Sequence, residues 1–192
     1  MAKFFTADLH LGHEKIAHVR GFKFCVDHDD YLIDQINQKV TRTDDLYLLG
    51  DFGFRPCKYR PRIKCRHIHF VIGNHDKPSE CQQVFGTVHK IISTKVSGGR
   101  VYMCHFPMAF WENSHNGSAH VYGHCHSSRE ATLDQCFPGR RSMDVGVDNA
   151  KKLKGDWRPF TEGDVEELFL RPGHDHVAFY DELRANEQGH SN

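Results

Sequence analysis

Seven side chains that could bind a metal ion stand at or just beyond the ends of short apolar runs. They are two aspartates, one asparagine and four histidines: Asp8, His10, Asp51, Asn74, His105, His124 and His126. Carboxylate, amide and imidazole donors without thiolate favour Mn²⁺, Fe or Zn²⁺ over Ca²⁺ and over a structural zinc. Seven donors exceed what one tetrahedral ion needs and suit two ions that share a carboxylate. One such residue alone is usually a turn cap or a solvated side chain, but five strand ends with this chemistry favour a metal site.

The apolar runs predict the strands that must position these side chains. Residues two apart on a strand point to the same side, so Asp8 and His10 should project together while Leu9 faces the core. Because α/β proteins build their sites at the carboxyl ends of strands, we expect the seven side chains at one sheet edge. The strands are predicted over Lys3–Ala7, Leu46–Gly50, His67–Ile72, Arg100–Cys104, His120–Tyr122 and Ser142–Val147. A glycine that permits close approach of the backbone precedes three candidate ligands: Gly50, Gly73 and Gly123.

Helical patterns alternate with these strands and predict an α/β fold. Between Asp29 and Val40 an apolar residue recurs every four positions, as at Leu32 and Ile36. A later helix should begin at Thr161, a plausible N-cap. We also expect a short helix over Asp175–Arg184, one domain over residues 1–184, and a mobile C-terminal tail over residues 185–192.

The composition excludes several classes of protein. The 192 residues carry no formal net charge, so nothing global indicates binding to nucleic acid or to an anionic membrane. The seven cysteines include no CxxC pair, which favours reduced, mostly buried thiols over a disulfide framework. No apolar run approaches the roughly 20 residues that span a bilayer, and no signal-peptide pattern is present. We therefore expect a soluble, cytoplasmic protein with no membrane partner, and the oligomeric state stays open.

Five separated motifs, "DLH", "GD", "GNHD", an isolated "H" and "GHCH", occur in an order that resembles the calcineurin-like metallophosphoesterase superfamily. Longer stretches, such as "HLGHEKIAHVRGFKF" and "HNGSAHVYGHCHSS", resemble a compact bacterial and phage-type phosphoesterase subgroup over nearly the whole chain. The resemblance implies a four-layer α/β fold, a β-sandwich of mixed sheets flanked by helices, with a two-metal site at one rim.

The same resemblance implies a role for each candidate ligand. One ion would be held by Asp8, His10, Asp51 and His126, and the other by Asp51, Asn74, His105 and His124. His75 matches a catalytic histidine that binds no metal and protonates the leaving oxygen. The implied activity is metal-dependent hydrolysis of a phosphoester by a bridging hydroxide, without a covalent intermediate. Two divalent ions are expected, Mn²⁺ first, with Fe, Ni²⁺ and Zn²⁺ as alternatives that the ligand set does not separate.

Other residues near the motifs are candidates for supporting roles. The motif "GDFGF" lacks the second acidic residue of the phosphoprotein phosphatases, so what orients His75 stays open and phosphodiesters are the preferred substrates. Asp76 should cap its own turn, and Asp148 should buttress the site or cap a turn. His13 and Arg20 are candidate contacts of the substrate, and the alternative for each is a surface residue at a helix end.

Two questions stay open from the sequence. Residues 55–66, "RPCKYRPRIKCR", carry six basic side chains and no acid, which fits either a solvated loop or a funnel for a polyphosphate or nucleic-acid substrate. The function could also be that of a nuclease acting on DNA or RNA, because DNA-repair exonucleases share the opening D-x-H-L-G pattern. A scaffold of this fold that binds a partner without catalysis would require lost ligands, and here all seven positions are filled.

Overall fold

The structure, a computed structural model, describes residues 1–173 of the chain. The helix predicted over Asp175–Arg184 and the tail over residues 185–192 lie outside the described residues, so the single domain over residues 1–184 stays a prediction.

Nine strands form two mixed sheets in the described part of the chain. In chain order they are β1 Lys3–Thr6, β2 Asp45–Leu49, β3 His67–Val71, β4 Val88–His89, β5 Ile91–Val96, β6 Gly99–Cys104, β7 Ala119–Tyr122, β8 Ser142–Asp144 and β9 Phe160–Thr161. The first sheet has the order β4-β3-β2-β1-β9 and the second has the order β5-β6-β7-β8. Each sheet is parallel except for one antiparallel edge strand, β9 in the first and β5 in the second.

Seven α-helices connect and cover the strands among residues 1–173. They are α1 Glu14–Val19, α2 Cys25–Lys39, α3 Pro56–Tyr59, α4 Pro78–Phe85, α5 Glu130–Cys136, α6 Val147–Lys154 and α7 Glu162–Glu166. Short 3₁₀ turns lie at Arg60–Arg62, Ser114–Asn116 and Glu167–Leu170. None of the helices in this part of the chain has both the length and the apolar character that crossing a bilayer would require.

The first sheet is buried on both faces, and this explains the continuous apolar runs of its strands. Phe5 and Leu49 pack in one core cluster with Val121 of the second sheet. Phe4 and Leu46 point the other way and pack with the apolar face of α2. The predicted α/β architecture, two mixed sheets packed as a sandwich and flanked by helices, is confirmed.

The predicted elements agree with the structure except at some boundaries and at short edge strands. Thr161 caps α7 as expected, because its hydroxyl accepts the backbone N–H of Asp164 and the Asp164 carboxylate accepts the backbone N–H of Thr161. Helix α2 begins at Cys25, four residues before its apolar repeat suggests. Strand β5 is absent from the sequence predictions because "IISTKV" is mostly exposed and offers no apolar run. All seven cysteines are free, as predicted, but the expectation that most are buried is wrong, since only Cys65 and Cys81 are buried.

Candidate active site

The structure brings all seven candidate ligands to one edge of the sandwich. His10 Nε2 lies 3.3 Å from His126 Nε2 and 3.5 Å from Asp51 Oδ2. His105 Nε2 also lies 3.5 Å from Asp51 Oδ2. Asn74 Oδ1 stands 3.0 Å from His105 Nε2 and 2.9 Å from His124 Nδ1, and these two contacts connect the remaining ligands to the cluster.

Asp8 joins this cluster from its most buried side. Its carboxylate accepts the backbone N–H of His124 at 2.9 and 3.0 Å, and Asp8 Oδ1 lies 3.9 Å from His105 Nδ1. Asp8 therefore belongs to two groups of possible metal ligands, one with His10 and His126 and the other with Asp51 and His105. Within each group the donor atoms, one from each residue, lie within 4.8 Å of one another. Asp51 Oδ2 lies 3.5 Å from His10 Nε2 and from His105 Nε2, so Asp51 as well as Asp8 is positioned between the two groups.

The backbone that presents these side chains is not strand, and the prediction that strand alternation aligns Asp8 with His10 is wrong. Strand β1 ends at Thr6, and both residues lie beyond it with left-handed φ values of 59° and 49°. Leu9 between them is fully buried, as expected. Three more candidate ligands share this conformation: Asp51 at 52°, His124 at 69° and His126 at 47°. Such a backbone costs on the order of 1–3 kcal/mol per non-glycine residue, and it concentrates at functional sites.

Two glycines let the turns pack against one another behind the ligands. A Cβ on Gly73 would stand 2.2 Å from Asp51 Oδ1, and one on Gly50, whose φ is 86°, would stand 2.5 Å from His105 Nδ1. Neither position has room for a larger residue, because the backbone of each turn packs directly against a candidate ligand. The Asp76 carboxylate accepts the backbone N–H groups of Asp51, Phe52 and Gly73 at 2.8–2.9 Å, which fixes both turns as predicted.

Hydrogen bonds at Nδ1 orient two histidine rings so that Nε2 of each faces another metal-binding atom. His105 Nδ1 donates to the carbonyl of Leu49 at 2.8 Å, which turns Nε2 toward the oxygens of Asn74 and Asp51. Burial acts to lower the pKa of this ring, but its hydrogen bond to Asp51 and the charges of Asp8 and Asp51 outweigh burial and raise it. His126 Nδ1 donates to Asp148 Oδ2 at 2.6 Å, so its Nε2 faces His10 Nε2. Two lone pairs this close would repel one another, so either a proton or a metal ion lies between the atoms of each pair. The donor set therefore fits divalent cations at both points.

The carboxylates differ in how their charge is balanced. Burial, together with the charge of the nearby Asp144 carboxylate, raises the pKa of Asp8 to about 7. Burial also acts to raise the pKa of Asp51, but the hydrogen bond and charge of His105 outweigh it and hold that pKa below its usual range. Burial lowers the pKa of His10 well below its ordinary value. A bound cation would offset the free-energy cost of burying the Asp8 carboxylate in its ionised form.

Arg20 differs from the expectation that it contacts substrate, because its guanidinium is already engaged inside the protein. Its Nε and Nη2 donate to both oxygens of Asp148 at 2.9 and 2.7 Å. Nη2 also donates to the carbonyl of Asp8 at 2.7 Å, and Nη1 donates to that of Leu9 at 3.0 Å. With 3% of its side chain exposed, Arg20 positions Asp148 behind His126 and holds the turn that carries Asp8.

Asp148 is the buttress that the sequence predicts. Burial acts to raise its pKa, but the hydrogen bonds from His126 and Arg20 outweigh burial and lower it strongly. The carboxylate therefore stays ionised and fixes the His126 ring through Nδ1. Arg20 and Asp148 are 128 residues apart, so the sequence offers no local signal for their pairing.

His75 and His13 lie on the solvent side of the cluster. The exposed His75 donates its backbone N–H to Asp51 Oδ1 at 2.9 Å, and its ring stands edge-on to His10, with centroids 5.3 Å apart. Among residues 1–173 no carboxylate pairs with the His75 ring, and its other ring neighbour is His13 at 6.4 Å. His13 caps α1, since Nδ1 accepts the backbone N–H of Ile16 at 3.5 Å, and its ring stacks on Phe54 at 5.1 Å. The sequence does not single out Phe54, although it stands three residues after Asp51.

A third group of possible metal ligands, Cys25, His28 and Asp29, is closed by hydrogen bonds. The Asp29 carboxylate accepts the hydroxyl of Tyr59 at 2.8 Å, the backbone N–H of Gly12 at 3.0 Å and the ring of His28 at 3.0 Å. These donors fill the carboxylate, so the group is a structural network that ties α2 to the turn after Leu11.

Comparisons with known proteins agree with this architecture. No family model matches the chain. The gene 66 protein of Mycobacterium phage D29 is 26% identical over 180 residues, which cover 75% of this chain and 86% of that protein. Among solved structures, the protein of unknown function AQ665 from Aquifex aeolicus has a TM-score of 0.65 and 22% identity, over 87% of this chain and 98% of that one. This likeness shows a shared fold. A novel archaeal phosphodiesterase has 15% identity over 81% of this chain and 88% of that one, and its TM-score of 0.44 is too low to define a shared fold.

Proposed function

We propose that the protein is a phosphoester hydrolase that works with two divalent metal ions, Mn²⁺ first, and prefers phosphodiesters. The observation that carries this proposal is the convergence of seven metal-binding side chains, whose donor atoms lie 2.9–3.9 Å from one another along the cluster. His105 Nε2 faces Asn74 Oδ1 at 3.0 Å, and His126 Nε2 faces His10 Nε2 at 3.3 Å, while hydrogen bonds on the other side of His105 and His126 orient their rings.

Two overlapping sets of residues would hold the ions. The first set is Asp8, His10, Asp51 and His126, and the second is Asp51, Asn74, His105 and His124. Asp51 Oδ2 lies 3.5 Å from a ring nitrogen of each set, which supports its place as the shared ligand. When bound, such ions polarise a phosphoryl oxygen and supply a nucleophile at neutral pH.

The protein's own groups handle the leaving alcohol. In this proposal His75 donates a proton to the leaving oxygen as charge builds on it. Its backbone is fixed by the hydrogen bond to Asp51, and its ring is exposed to an incoming substrate. The absence of a carboxylate partner for its ring among residues 1–173 separates the site from the phosphoprotein phosphatase pattern.

The first test is Mn²⁺-dependent hydrolysis of bis(p-nitrophenyl) phosphate beside p-nitrophenyl phosphate. We expect faster turnover of the diester, and Asn74→Ala should abolish it, because that substitution removes the amide oxygen between His105 and His124. Binding of two ions by mass spectrometry with no turnover of either ester would count against this function and favour a scaffold. Faster cleavage of long oligonucleotides than of small diesters would favour a nuclease.

The role of His75 can be tested with two diesters that differ in leaving group. His75→Ala should slow release of an alkyl alcohol much more than release of p-nitrophenolate, since the latter needs no proton at neutral pH. Metal content should stay unchanged, and His67→Ala, at an exposed histidine where β3 begins, is the matched control. Equal loss with both leaving groups would contradict the assignment.

A further inference from the structure

A groove of about 650 Å³ opens beside His75, on the side away from the buried ligands. Its lining includes three acidic side chains, three basic ones and the aromatic rings of Phe54 and Tyr59. In the proposed function, on which this inference rests, His75 protonates the leaving oxygen. The leaving group therefore departs on the side of His75, which is the side of the groove.

Phe54 offers an aromatic face at this groove. Its side chain is 47% exposed, and its ring is stacked nearly parallel on His13, with an angle of 22° between the planes. His13 is held in turn by its hydrogen bond as the cap of α1. A supported and exposed ring of this kind is a stacking surface for a planar group.

The charges of the groove argue against a bare polyphosphate. Lys77 pairs with Glu80 at 3.0 Å, and Lys58 Nζ donates to the Tyr59 hydroxyl at 3.2 Å. Of the six basic residues in the segment 55–66, only Arg55 and Lys58 line the groove, and Arg62 pairs with Asp30 at 2.7 Å instead. A balanced set of donors and acceptors beside an aromatic face suits a neutral, planar and polar group with hydroxyls.

We propose that the groove binds the leaving nucleoside of a nucleotide phosphodiester, with the base stacked on Phe54. A volume of this size accommodates one such group. Hydrolysis breaks the bond between phosphorus and the nucleoside oxygen. Water supplies the hydroxyl that stays on phosphorus, His75 gives its proton to the leaving oxygen, and the remaining proton of the water restores His75 through solvent. The products are a nucleoside and a phosphomonoester.

A substrate with two alkyl leaving groups tests this proposal by its products. Deoxyadenosine 5′-(methyl phosphate) can release either deoxyadenosine with methyl phosphate or methanol with deoxyadenosine monophosphate. We expect the wild-type protein to release deoxyadenosine. Phe54→Ala should lower that product relative to the methanol product by roughly 5- to 150-fold, the range that loss of one stacked base gives. Phe54→Trp should retain the wild-type partition, and Phe110→Ala, at another exposed phenylalanine, is the matched control.

Binding of deoxyadenosine to the metal-free full chain, followed by saturation-transfer NMR, separates this proposal from the proposed function. Loss of binding in Phe54→Ala supports the groove, and it does so even if no diester is hydrolysed, in which case only the hydrolase function falls. An unchanged partition and unchanged binding in Phe54→Ala would overturn the groove and leave the hydrolase intact. The proposal would also be overturned if deoxyadenosine bound to neither the wild-type protein nor Phe54→Ala while tripolyphosphate bound at Lys58 and Arg55.

Discussion

The two halves of the candidate site are held very differently. The inner half consists of Asp8, His10, Asp51 and His126, and the outer half of Asn74, His105 and His124. Asp8, His10 and Asp51 are almost wholly buried. In the outer half only His105 is buried, while Asn74 and His124 are exposed and their side chains contact each other at 2.9 Å.

The ligands of the inner half are also held by stronger side-chain partners than those of the outer half. His126 is fixed by Asp148, which is itself held by two hydrogen bonds from Arg20. His124 and Asn74 have no comparable ionic partner among residues 1–173. Because a ligand that is ordered before binding loses less entropy on binding, the inner half should hold its ion more tightly. We therefore expect the two ions to bind in sequence, the inner one first.

The largest effect should come from Asp51→Asn, since Asp51 contacts both halves. Loss of the shared negative charge should weaken binding of both ions and reduce turnover of the diester below detection. Titration calorimetry with Mn²⁺ and the chromogenic assay measure these effects. Asp30→Asn, at an exposed aspartate that pairs with Arg62, is the control and should change neither. Retained turnover in Asp51→Asn would rule out a shared ligand at this position.

Asn74→Ala should remove only the weaker ion. The protein should then bind one Mn²⁺ with the affinity of the inner half, while turnover is lost. Asn116→Ala, at an exposed asparagine in the 3₁₀ turn, should still bind two ions. If Asn74→Ala lost both ions together, the two halves would be one cooperative unit and the comparison would fail.

Asp148→Asn should act on the inner half alone. The amide cannot supply the charge that fixes His126, and loss of such a partner typically lowers metal affinity about 10- to 100-fold. The weaker of the two binding steps should keep its affinity. Asp134→Asn removes an exposed acid of α5 that pairs with the buried Arg140 and with none of the candidate ligands, and it serves as the matched control. Equal weakening of both steps would show that Arg20 and Asp148 brace the whole fold and not His126.

The sequence predicts the ligand residues of both halves equally well. It does not predict the backbone conformation of these residues or the side chains that fix them in place. Apolar runs predict the strands, and Gly73 and Asp76 predict a tight turn, because strands and turns depend on residues that are close in sequence. The left-handed backbone at Asp8 and His10 has no such local signal, since neither residue type requires it. The contact between Arg20 and Asp148 spans 128 residues and becomes visible only once the end of α1 lies beside α6. The site's chemistry is thus local in sequence, and its bracing is tertiary.

The smallest effect should be a difference in how acid affects the two halves. His120, on the strand β7 that leads to His124, is fully buried, donates from Nδ1 to the Tyr102 carbonyl and accepts the Met108 N–H at Nε2. Burial lowers its pKa to about 4, so the folded protein holds it neutral while the unfolded chain binds a proton near pH 6.5. Its contribution to stability is present above pH 6.5 and is lost as the pH falls toward 4. The lowered pKa of Asp148 instead keeps the inner brace ionised throughout this range.

Chemical denaturation of the metal-free protein at several pH values tests this difference. Between pH 6.5 and 5, the free energy of unfolding of the wild-type protein should fall by about 1.5 kcal/mol relative to that of His120→Asn, which keeps a donor but cannot be protonated. The raised pKa of Asp8 acts in the opposite direction over the same range, because the folded protein takes up a proton there that the unfolded chain does not. Asp8 is present in both proteins, so its effect cancels in the comparison. Parallel pH profiles for the two proteins would mean that His120 does not make the outer half more acid-sensitive than the inner half.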